Sequence, residues 1–89
     1  MKLIEKIENI MEKFPEFREF AEAAIENATE GDVAQAAYLM YRDYDSSREW
    51  AEQQIERGIG DVVLAARWMC KHCDSSKKWY KKVTGKKFK

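Results

Sequence analysis

From Val33 to Tyr44 the apolar residues Val33, Ala36, Ala37, Met40, Tyr41 and Tyr44 recur at i, i+3, i+4, i+7, i+8 and i+11. That spacing draws a single stripe along an α-helix. The same offsets return at Val62, Ala65, Ala66, Met69, Cys70 and Cys73, and a broader stripe runs through Leu3, Ile4, Ile7, Ile10, Met11 and Phe14. Three shorter stripes lie between and after them: Phe17, Phe20, Ala21, Ala24 and Ile25; Trp50, Ala51, Gln54 and Ile55; Trp79, Tyr80 and Val83. The pattern predicts six short helices.

The stripes belong to a repeat. GDVAQAAYLMYRDYDSSREW, from residue 31, overlies GDVVLAARWMCKHCDSSKKW, from residue 60, without a gap and with ten identities in twenty positions. REFAEAAIE at 18–26 matches REWAEQQIE at 48–56, a step of 30. Each unit therefore reads as a helical hairpin, and three stacked hairpins are about the minimum for a stable array. The expected fold is all-α: one domain, units of about 1–30, 31–59 and 60–89, forming a compact bundle or short solenoid with a flexible basic tail at 85–89. In general design this resembles helical-hairpin repeats such as HEAT and TPR arrays, although its period is shorter and their signature residues are missing.

The punctuation supports helices. Gly31, Gly58 and Gly60 fall where helices end and the backbone needs positive φ. Asp32 and Asp61 follow as N-caps. The phrase Asp-Ser-Ser, written at 45–47 and again at 74–76, precedes the second helix of each later unit. It reads as a helix start, with Asp45 or Ser46 as cap, Ser46 and Glu49 forming a capping box, and Asp74-Ser75 repeating half of it. Pro15 takes the equivalent place in the first unit.

Charge changes the picture. Charged residues make up 36% of the chain, and the net charge is +0. The zero hides a gradient. Residues 1–33 carry 4 Lys/Arg against 9 Asp/Glu, residues 34–66 carry 3 against 6, and residues 67–89 carry 9 against 1, giving −5, −3 and +8. No apolar run approaches the roughly 20 residues of a membrane span. The N-terminal segment carries charge too often for a signal peptide, so a cytoplasmic location is expected.

Candidate chemistry is sparse. Cys70, His72 and Cys73 form the one cluster with a metal or redox flavour, but the rest of the chain offers no further Cys or His to complete a tetrahedral zinc site. The repeat aligns Cys70 with Tyr41 and Cys73 with Tyr44, so both thiols are expected in the core with Met40, Trp50, Ile55, Met69 and Trp79. No metal, cofactor or catalytic residue is expected.

What remains is surface. A basic set, Arg67, Lys71, Lys77, Lys78, Lys81, Lys82, Lys86 and Lys87 with Tyr80, suits phosphates or an acidic partner. An acidic set, Glu5, Glu8, Glu12, Glu19, Glu22 and Glu26, recurs at helical spacing. These features lead to the expectation of a non-enzymatic binding protein, an inhibitor or adaptor of a larger machine, nucleoprotein machines included, acting through charged helical faces. Its partner would be another protein. The alternative is a non-specific nucleic-acid binder using the lysines and aromatics of the last helix and tail. The opposed charges of the ends also allow head-to-tail self-association.

Overall fold

A computed structural model describes residues 3–13, 16, 18–44 and 46–86. It is all-α. Six helices follow in order: α1 (Leu3–Lys13), α2 (Arg18–Asn27), α3 (Val33–Tyr44), α4 (Arg48–Glu56), α5 (Val62–His72) and α6 (Lys77–Thr84). Among the described residues there is no strand. Pro15, Asp45 and Lys87 lie outside the described residues, as do Phe14 and Phe17.

The helices pair as the repeat requires, α1 with α2, α3 with α4 and α5 with α6. The hairpins then stack in chain order. Both α1 and α2 pack on α3, and both α3 and α4 pack on α5, so α3 is the central helix of a body measuring 39 × 24 × 16 Å. Its sequence suits that place. Val33, Ala34, Ala36, Ala37 and Met40 are all at most 1% exposed, and the small residues let neighbouring helices approach closely. The main core joins these to Ile7, Met11, Ala21, Ile25, Ala51, Ile55, Ala65 and Met69. A second, smaller core lies inside the third hairpin, where Ala66, Cys70 and Tyr80 pack with Trp79.

The junctions between hairpins are stitched at their loops. Ala34 N–H donates to the Ile59 carbonyl at 2.9 Å, and Asp61 N–H donates to Gln35 Oε1 at 3.0 Å. Arg57, at the end of α4, donates to the Ile25 carbonyl at 2.9 Å and also to the Ala28 carbonyl. Its guanidinium thus binds carbonyls at and just beyond the C-terminal, negative end of α2. Asp61 caps α5 as its position predicts, with Oδ1 accepting from Leu64 N–H at 3.1 Å.

The Asp-Ser-Ser phrase is architecture, but of a different kind from a capping box. Ser47 is the N-cap of α4, with its hydroxyl accepting from Trp50 N–H at 3.5 Å. Ser46 instead turns inward and is 5% exposed. In the third hairpin Asp74–Ser76 forms a single 3-10 turn, and Ser76 makes no side-chain cap bond. Both hydroxyls are turned towards the neighbouring hairpin instead. Both inward serines find a carboxylate on the preceding hairpin, and a bond to an ionised acceptor is roughly twice as strong as a neutral one.

Candidate interaction surfaces

Two rungs of the same construction join the hairpins. At the first junction Ser46 Oγ donates to Glu22 Oε2 at 2.7 Å, and Trp50 Nε1 donates to Glu26 Oε1 at 2.7 Å. At the second, Ser76 Oγ donates to Glu52 Oε2 at 2.8 Å, and Trp79 Nε1 donates to Glu56 Oε1 at 2.8 Å. The acceptors sit one helical turn apart on α2 and on α4, so both point at the next hairpin. An arginine stands one turn before each acceptor pair: Arg18 lies 4.0 Å from Glu22, and Arg48 lies 3.8 Å from Glu52. Each also reaches forward, Arg18 to the Tyr44 carbonyl and Arg48 to Cys73 Sγ.

The ladder reassigns several residues. Glu22 and Glu26, read from sequence as part of an acidic partner face, hold the second hairpin onto the first. Trp50 and Trp79, expected in the core, are half-buried at the junctions with their indole N–H groups tied to glutamates. Cys73 is likewise half-buried, and its backbone N–H closes the end of α5 on the Met69 carbonyl. Tyr80, expected beside the lysines as a ring for a partner, is 4% exposed and belongs to the second core. Met40, Ile55, Met69 and Cys70 are core residues.

The other described members of the acidic and basic sets are on the surface. Glu5, Glu8, Glu12 and Glu19 are exposed on α1 and α2. Arg67 and Lys71 are exposed on α5, and Lys77, Lys78, Lys81, Lys82 and Lys86 are exposed on or just after α6. His72 is exposed and sets its ring edge-on to Tyr41, with centroids 5.2 Å apart. Among the described residues, no group of three or more His, Cys, Asp or Glu side chains is placed to hold a metal ion. No described helix is long and apolar enough to cross a membrane.

One concavity crosses all three hairpins. It is an open groove of ≈ 1270 Å³, running from the first turn of α1 over the start of α3 to the first half of α5. Leu3, Ile4, Ala28, Leu64 and Trp68 supply its apolar lining, and Glu5, Lys6, Glu30, Asp32 and Gln35 its polar lining. Trp68 is held by Tyr38, with ring centroids 5.3 Å apart. No family model, curated protein or solved structure matches this chain. The groove was missed in the sequence because its residues come from four elements. One signal was available: where the second hairpin has Gln35, the third has Leu64, an apolar residue 36% exposed.

Burial also sets a pH dependence. Burial pushes the Cys70 thiol above its ordinary 9.0, against the opposing pull of the Lys77 charge. It also pushes the Tyr41 and Tyr44 phenols above their ordinary 10.0. For each acid the folded chain favours the neutral form. That contribution is complete below the unfolded value and is lost as pH climbs towards the folded one. The thermal midpoint is therefore expected to hold as pH rises to about 9 and then to fall. A midpoint unchanged across the thiol and phenol range, followed by circular dichroism, would contradict this.

Proposed function

We propose that this chain is a non-enzymatic binding protein, an adaptor or inhibitor, whose α1/α3/α5 groove receives a segment of a partner protein. The observation that carries this reading is the groove itself: a concave surface built from all three hairpins, with exposed Leu64 and half-buried Trp68 along one wall. Stacked hairpins commonly use such concave surfaces for binding. Its charged lining is acidic on balance, with Glu5, Glu30 and Asp32 against Lys6. The segment it suits has apolar side chains flanked by basic ones.

The competing reading places nucleic acid on the lysines of α6. It retains the phosphate attraction but loses Tyr80 as a stacking ring, since Tyr80 is buried, and the Trp79 indole N–H is tied to Glu56. One experiment separates the two. Tagged wild type and the Leu64→Lys variant are compared in capture from a lysate, each with and without nuclease. Leu64 is partly exposed in the first turn of α5, so the variant is expected to keep its helical circular dichroism. A discrete protein captured by wild type and depleted by about tenfold or more with the variant, a loss of about 1.4 kcal/mol in binding, supports the groove. Equal capture by both proteins rejects it. Material released by nuclease alone moves the function to the lysine face, whose affinity would also fall steeply with salt.

A further inference from the structure

The end faces of the stack are the two halves of a junction with their polarity reversed. We propose that copies of this chain associate head to tail, the third hairpin of one seating on the first hairpin of the next in the geometry of the internal junctions. The surfaces involved are separate from the groove, and the inference does not depend on what the groove binds.

The internal junctions define what each end lacks. Ser46 and Trp50 on the incoming side meet Glu22 and Glu26 on the receiving side. In the first hairpin the incoming positions, 30 residues earlier, hold Glu16 and Phe20. Glu16 is exposed, and Phe20 is 63% exposed where Trp50 is half-buried. In the third hairpin the receiving positions, in the register that aligns Trp79 with Trp50, place Lys81 at Glu52 and Gly85 at Glu56. Each change on one end is answered on the other. A carboxylate replaces the serine hydroxyl, and a lysine replaces the carboxylate that would receive it. A ring without an N–H replaces tryptophan, and a glycine without an acceptor replaces its glutamate.

The neighbouring helix agrees. On α3 the side that receives the third hairpin carries Ala34, 0% exposed, and Tyr38, 7% exposed. The matching positions on α5 are Val63, 47% exposed, and Arg67, exposed. The receiving end is thus an apolar spot in a basic field. Its Arg67, Lys81 and Gly85 lie in the segment of charge +8, whereas the incoming end lies in the one of −5. Opposite fields of this kind steer and register an encounter. A head-to-tail contact is heterologous, so it propagates into a filament or closes into a ring.

The test is sedimentation equilibrium over about a hundredfold range of concentration. At roughly 0.01 M salt, where charges act over about 30 Å, the wild-type weight-average mass is expected to rise to about twice that of one chain or more; at about 1 M salt, where the reach is about 3 Å, it is expected to fall back. Glu16→Lys alone and Lys81→Glu alone should each remain at the mass of one chain, 10.5 kDa. Mixed in equal amounts they should associate again, because each variant end then faces its opposite. Both positions are exposed, so helical content is expected to be unchanged. A wild type that stays at the mass of one chain at low salt, or variants that associate as wild type does, would overturn the proposal.

Discussion

Met40→Ala is expected to lower stability by about 2–5 kcal/mol, a large share of the roughly 5–10 kcal/mol available to a domain of this size. Met40 is 0% exposed on the central helix, so the cavity left behind is bounded by neighbours that are themselves packed on both sides. Relaxation into it would have to move α3, which holds the first and third hairpins together. The matched control is Met11→Ala. Met11 occupies the same place in the first hairpin and is 5% exposed, but α1 lies at the end of the stack and has freedom to settle. In a stacked array, where stability is shared between units and their interfaces, the central substitution should cost more than the terminal one. Urea denaturation of the two variants reads the difference directly. Equal costs would mean that the hairpins do not lean on α3 as the packing indicates.

Gly60→Ala should be the most damaging conservative change at a loop, at about 2–5 kcal/mol. Two terms add. Gly60 has φ +99°, and an L-residue there is strained by about 1–2 kcal/mol. A Cβ at this position would lie 2.6 Å from Gln35 Oε1 and 3.1 Å from the Gly31 carbonyl oxygen. Overpacking of that kind costs about 1–3 kcal/mol. The glutamine cannot simply swing aside, because Oε1 accepts the Asp61 N–H that joins the second and third hairpins. Gly58→Ala isolates the first term, since Gly58 has φ +79° and nothing within 4 Å of its Cβ position. If the two variants unfold at the same denaturant concentration, the close approach at Gly60 is not a constraint.

Helix number, pairing and core were legible because they depend on periodicity. The stripes through Met40 and Met69 could face only inward, and ten identities in twenty positions carried the hairpin from one unit to the next. The serines show where legibility ended. Identity aligns Ser46 with Ser75, whereas the hydrogen bonds equate Ser46 with Ser76. A 3-10 turn at Asp74–Ser76 accounts for the slip, placing Ser76 and Trp79 on one face with a spacing of three where Ser46 and Trp50 use four. Glu22 and Glu26 read as part of an acidic partner face, and Glu52 and Glu56 carried no signal, because an isolated helix gives none of the four a partner. Their donors lie 23 or 24 residues ahead, beyond any local pattern. The groove was hidden for the same reason, being a meeting of loop ends and first turns rather than a motif.

The ladder also gives the array a grammar. The middle hairpin carries Ser46 and Trp50 on one side and Glu52 and Glu56 on the other, so a copy of it would dock on itself with every donor matched to an acceptor. The outer hairpins lack one half of that set each, and a duplicate of either placed inside the chain would bury a charge or a ring without its counterpart. Such a protein can lengthen by copying its middle, whereas neither outer hairpin can be copied in place without leaving a ladder position unmatched.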